Sequence, residues 1–172
     1  MTELTYDKPL PIAQPESEFY WEKARQHELW LRRCDDCETA YFYPRDICPH
    51  CFSRRTSWIR SSGMGTLHAF SVVYRAPHPC FKDSVPYVAA VIELDEGVRI
   101  PSNLVDVDVD PKNIRIGMAV EVVFDDVTDE VTLPKFRPAD TYSSTAKRPG
   151  ERLSVDVDRA QPAPTNNTTF LG

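Results

Sequence analysis

The sequence predicts a mainly β fold: an N-terminal helix and metal-binding ribbon, then a five-stranded barrel, then an extended C-terminal tail. Three observations predict it. Four cysteines stand as C-x2-C-x10-C-x2-C at Cys34, Cys37, Cys48 and Cys51. Beyond Gly63, five short segments rich in Val, Ile, Phe and Tyr are separated by turn signals. After Pro138 the apolar pattern fades into a polar, Pro-containing stretch. The expected organisation is an arm at 1–15, helix plus ribbon at 16–60, barrel at 61–138 and tail at 139–172.

The cysteine spacing can bring four thiolates to the corners of one tetrahedron, the coordination a structural Zn2+ prefers. A site closed by four sulfurs leaves no position for water or substrate, which argues against metal catalysis. His50, between Cys48 and Cys51, could substitute as a ligand, but the four-cysteine set is already complete. Iron is the alternative metal; the ten-residue gap is short for a rubredoxin. A ribbon this small has little core, and thiolate ligation contributes on the order of 10–16 kcal/mol to folding in zinc-finger peptides.

The elements follow in order. Residues Met1 to Pro15 hold three prolines and read as an extended arm. Phe19, Tyr20, Lys23 and Ala24 suit one side of a short helix, with Ser17 as its N-cap. Phe19, Tyr20 and Trp21 admit two readings: a helix packed on its own domain, or an aromatic cluster facing a partner. Residues 28–33 read as a strand entering the first cysteine knuckle. Barrel strands are expected at 66–74, 87–94, 98–104, 119–124 and 132–136. Five short strands over this length fit an OB barrel most economically.

Composition narrows the function classes. The chain has 172 residues, 41% hydrophobic content and a net charge of −6. An acidic chain is a poor match for a phosphate backbone. The N-terminus shows no signal peptide and no stretch reaches the ~20 apolar residues of a membrane helix, so a cytoplasmic, reducing location is expected. That setting favours metal over disulfides for the paired cysteines.

No GxSxG, P-loop or HExxH motif is present, and His27, His50, His68 and His78 are scattered. The fifth cysteine, Cys80, lies two residues from His78 in a proline-bracketed loop. Side chains at i and i+2 of an extended loop are expected to point apart, so Cys80 reads as a packed or loop thiol rather than a nucleophile.

Residues 17–138 resemble a known family, in which a rubredoxin-like zinc ribbon precedes an OB fold associated with acyl-CoA. The matching stretches are FYWEKARQHELWLRRCDDC, YPRDICPHC, SGMGTLHAFSVVYRAPHP, VPYVAAVIELDEGVRIPSNLV, IRIGMAVEVVF and LPKFRPA. The resemblance implies an accessory subunit of thiolase-fold, acyltransferase, hydratase-like or aldolase enzymes acting on CoA thioesters, with the catalytic groups on the larger partner. It implies a hetero-oligomer in which this chain stabilises that partner and helps enclose the acyl-CoA. One departure is visible. Such knuckles usually place Gly just after the second cysteine, where φ is positive; here Glu38 and Phe52 stand there, so looser turns, or a contact role for Phe52, are expected.

An acyl-CoA needs cations for its phosphates and an apolar face for adenine. Arg75 with Lys82, after the first barrel strand, and Lys135 with Arg137, flanking Phe136, are the candidate contacts. From Glu93 to Glu130 eleven acids face three bases, an unlikely phosphate surface. The expected function is thus a non-catalytic zinc-stabilised OB subunit of a CoA-thioester complex. Phe19–Trp21, Phe52, the loop 77–81 and the tail are the expected partner contacts. The rival is a single-stranded nucleic-acid-binding protein, since ribbons and OB folds both serve that role.

Overall fold

A computed structural model describes residues 6–139. The tail at 140–172 lies outside the described residues, and so does its expected role in partner contact. The described chain is mainly β, with one α-helix, a ribbon sheet and a closed five-stranded barrel.

Helix α1 covers Glu18–Arg25 and buries Tyr20 and Ala24, four residues apart and so on one face. Ser17 stands at its N-cap but does not cap it with its side chain. Its hydroxyl turns back instead, accepting from the Gln14 amide at 3.0 Å and donating to the Gln14 carbonyl at 3.1 Å. The helix ends in a Schellman arrangement: His27 N–H reaches the Ala24 carbonyl and Glu28 N–H the Lys23 carbonyl, both at 2.9 Å. His27 takes the left-handed position, at φ 57°, that glycine usually fills.

Strand β1 (Trp30–Cys34) is the middle of the ribbon sheet. It pairs antiparallel with β2 (Ala40–Tyr41) on one side and β3 (Thr56–Arg60) on the other. The three aromatic rings of α1 spread in different directions and each finds an intramolecular contact. Phe19 packs on Trp58 at 4.7 Å and edge-on against Trp30 at 5.4 Å. Tyr20 points into the core, and Trp21 donates its indole N–H to the Tyr43 hydroxyl at 2.7 Å. Of the two readings of this cluster, the structure has the packed helix.

The barrel runs β4 (Met64–Val73), β5 (Tyr87–Leu94), β6 (Arg99–Leu104), β8 (Thr132–Pro138), β7 (Ala119–Asp126) and back to β4. All contacts are antiparallel except β6 with β8, which is parallel. That order and that single parallel closure make it an OB barrel, and closure leaves no sheet edge open. In β5 burial alternates strictly, placing Val88, Ala90, Ile92 and Leu94 inside. β4 pairs with β5 along its length and with β7 at its start. Its register slips between Leu67 and Ala69, a bulge that lets it bend around the barrel. Gly65 lies where β4 meets both β5 and β7; a Cβ there would sit 2.4 Å from the Glu93 carbonyl oxygen.

One core runs through helix, ribbon and barrel. Tyr20, Leu29 and Leu31 pack in the same buried cluster as Leu67, Ile92, Val120 and Phe136. The turn between β3 and β4 therefore separates two sheets but not two cores. A smaller cluster of Cys34, Cys48 and Tyr41 lies beneath the knuckles. Among the described residues no helix is long and apolar enough to cross a membrane.

Candidate metal centre and surrounding surface

The cysteines come from two tight knuckles. In each, the amide of the first cysteine donates to a carbonyl five residues on: Cys34 to Thr39 at 3.0 Å and Cys48 to Ser53 at 2.9 Å. The amide of His50 donates to Cys48 Sγ at 3.4 Å. The cluster within metal-binding reach is Cys34, Cys37, Cys48 and Cys51, and the His50 imidazole is not part of it. Cys34 and Cys48 are buried, whereas Cys37 and Cys51 lie towards the surface.

All four sulfurs lie within 4.8 Å of one another. Cys34 and Cys51 are 3.5 Å apart, and Cys37 and Cys48 are 3.6 Å apart. A tetrahedron with Zn–S bonds of about 2.3 Å has edges of roughly 3.8 Å, so the donor set fits Zn2+ with little movement. Four thiolates would complete the coordination of a zinc ion, which would then hold the ribbon together.

As free thiols the four are inequivalent. The Thr39 hydroxyl, 3.5 Å from Cys37 Sγ, and the Thr39 amide draw the Cys37 thiol down to about 6. The Ser53 amide also favours a thiolate at Cys51, but the Cys34 thiol, desolvation and the other sulfurs outweigh it and lift Cys51 to about 12. Four adjacent sulfurs compete for negative charge, a conflict that a divalent cation resolves.

The knuckle tips depart from the expected loosening. Glu38 and Phe52 adopt φ 56° and 60°, the left-handed conformation glycine would take. Each turn therefore keeps its form at a cost of about 1–2 kcal/mol for the non-glycine residue. Phe52 is 78% exposed. Surface ion pairs brace the ribbon: Arg55 and Ser53 both bond Asp36, and Arg32 meets Asp46 at 3.0 Å while stacking on Trp58.

The four basic candidates and Phe136 are not brought into one site. Arg75 and Lys82 are exposed in the connection between β4 and β5, where a 3-10 turn spans Pro79–Ser84. Lys135 and Arg137 lie on β8, where each meets an acid on β7: Lys135 pairs with Asp125, and Arg137 with Glu121 at 2.8 Å. Phe136 is 1% exposed and belongs to the barrel core. The buried positions of β8 are Thr132 and Phe136, and Lys135 and Arg137, which flank Phe136, fall on the opposite face of the strand.

Two arrangements had no such signal. His27 stacks on Phe124 and binds Asp126 across 99 residues of sequence. And the expectation that His78 and Cys80 point apart is overturned. His78 Nδ1 lies 2.9 Å from Cys80 Sγ, because the 3-10 turn folds the loop back over two residues.

Comparison with known proteins gives a consistent answer. Residues 21–57 match the family described as the ChsH2 rubredoxin-like zinc ribbon domain, and residues 58–125 the ChsH2 C-terminal OB-fold domain. A probable enoyl-CoA hydratase alpha subunit from Thermomonospora curvata is 38% identical over 132 residues, covering 77% of this chain and 40% of the relative. A DUF35 domain-containing scaffold protein from Methanocaldococcus jannaschii is 47% identical over 94 residues, 54% of this chain and 64% of the relative. This chain thus spans less than two thirds of either protein. Among solved structures, a chain of an Ltp2-ChsH2(DUF35) aldolase superposes with a TM-score of 0.66 at 37% identity, covering 75% of this chain and 98% of that one.

Proposed function

This chain belongs to the DUF35 family, in its ChsH2-type arrangement of rubredoxin-like zinc ribbon and OB fold, and from that premise we propose that it is a non-catalytic scaffold subunit of a CoA-thioester-processing enzyme. The observation that carries the reading is the correspondence, over 98% of its length, with a chain of an Ltp2-ChsH2(DUF35) aldolase. The hydratase alpha subunit from T. curvata supports the same chemistry, a reaction on an acyl thioester. The catalytic partner is an aldolase-, hydratase- or thiolase-type chain, and the assembly is a hetero-oligomer.

The physical contribution of this chain is surface and rigidity. The zinc holds the ribbon, the shared core ties the ribbon to the barrel, and the exposed rings of Phe52 and Tyr74 and the side chain of Ile116 offer apolar contact. Arg75 and Lys82 are the better placed of the basic candidates for a CoA phosphate, since Lys135 and Arg137 already face carboxylates. Phe136 supports the barrel from within and does not stack on adenine.

The test is affinity capture of the tagged full-length chain from its own cells at moderate salt. The reading expects a thiolase-, aldolase- or hydratase-type polypeptide in stoichiometric amount. Capture of nucleic acid with no such polypeptide contradicts it.

A further inference from the structure

We propose that Cys80 and His78 form a reactive thiol–imidazole pair, a modification site that undergoes exchange with low-molecular-weight disulfides. It is separate from the zinc cluster and does not depend on the proposed scaffold role.

The geometry rests on two contacts to one nitrogen. His78 Nδ1 lies 2.9 Å from Cys80 Sγ, and it also accepts from the Cys80 backbone N–H at 3.4 Å. The second contact caps the 3-10 turn Pro79–Ser84 and aims the Nδ1 lone pair at residue 80. Nδ1 thus lies within reach of the thiol proton, the spatial relationship of base to nucleophile that activation requires. Prolines at 77 and 79 restrict the backbone on either side of His78.

Accessibility is the second requirement. Cys80 is only partly buried and His78 is exposed. Cys80 lies outside both buried clusters and outside the metal cluster, so neither packing nor zinc explains a cysteine here. The arm passes over the same turn, with Lys8 Nζ 5.6 Å from the Phe81 ring centre. Lys82 adds a second cation on the turn itself, beside Asp83.

The step balances without further reagents. The Cys80 S–H proton moves to His78 Nδ1, and the thiolate attacks one sulfur of the small disulfide. One S–S bond breaks as another forms. The leaving thiolate takes the proton from the imidazolium, so Cys80 is oxidised to a mixed disulfide and one small thiol is released. Zinc at the four-cysteine cluster would draw charge from those sulfurs and slow their exchange, so they would react after Cys80.

The experiment uses zinc-loaded full-length protein and the aromatic disulfide 5,5′-dithiobis(2-nitrobenzoate), read by thiol release, intact mass and peptide mapping. One label per chain is expected in the fast phase, at Cys80. His78→Asn keeps an acceptor for the Cys80 amide but supplies no base, so it preserves the turn; the fast phase should slow by about tenfold. Cys80→Ser should abolish it with zinc content unchanged. Labelling of zinc cysteines before Cys80, or equal rates in wild type and His78→Asn, overturns the proposal.

Discussion

His27 lies flat on Phe124, with ring centroids 5.2 Å apart and planes 6° from parallel, and the same imidazole reaches Asp126 at 3.0 Å. One residue, held at φ 57° just past the helix, thus clamps α1 to the C-terminal end of β7. The clamp sits on the surface, so its electrostatic part is small. It adds a surface contact between the end of α1 and the barrel to the core that they already share.

The clamp has a pH signature. The Thr132 hydroxyl, donating at 2.6 Å, and then His27 hold the Asp126 carboxyl below its ordinary value of 3.8. A depressed carboxyl stabilises the fold fully above its unfolded value and loses that contribution as pH falls through the lower folded value. Thr132→Val should therefore raise the Asp126 titration midpoint, read by side-chain carboxyl NMR. An unchanged midpoint would show that the hydroxyl does not contribute.

Zinc removal should reach beyond the ribbon, because Leu29 and Leu31 share a core with Leu67 and Phe136. Cys48→Ser removes a buried ligand and should leave the protein with well under one zinc per chain. Its Tm should fall by more than about 10 °C. Retention of stoichiometric zinc by this variant, measured by atomic emission, would mean that the site is not the one described.

Phe136 separates a core role from a ligand role. Phe136→Ala should cost about 3–5 kcal/mol in denaturant unfolding. Among the molecules that remain folded, CoA affinity by calorimetry should be unchanged. A large loss of CoA affinity with little loss of stability would reverse that assignment.

Phe52 should show opposite effects on the chain and on the assembly. Replacing it with glycine relieves a left-handed non-glycine residue and should stabilise the isolated chain by about 1 kcal/mol. The same change removes an exposed ring from the proposed interface and should weaken partner binding by about 2 kcal/mol or more. Surface plasmon resonance with the catalytic partner reads the second effect, and equal affinity for both forms would move the interface elsewhere on the chain.

Much of this architecture was legible in the sequence because its signals are local. The cysteine spacing marks the knuckles, and the alternation in Tyr87–Leu94 marks a half-buried strand. The order β6–β8–β7 follows from the OB pattern once five strands are in place. What stayed hidden depends on folding back. Trp21 meets Tyr43 only because the ribbon brings residues 22 positions apart together. The His78–Cys80 contact needs a 3-10 turn where the prolines suggested extended chain. The basic candidates illustrate the same limit: charge is visible in the sequence, but the carboxylates opposite Lys135 and Arg137 lie on another strand.

The central claim is that this chain completes an enzyme whose catalytic groups lie on another polypeptide. Size-exclusion chromatography with light scattering, run on the chain co-expressed with its captured partner, tests it most directly. The account predicts a single hetero-oligomeric peak in which acyl-CoA turnover exceeds that of the partner alone, while this chain alone turns over nothing. Elution of this chain as a separate monomer, with partner activity unchanged by its presence, would contradict it.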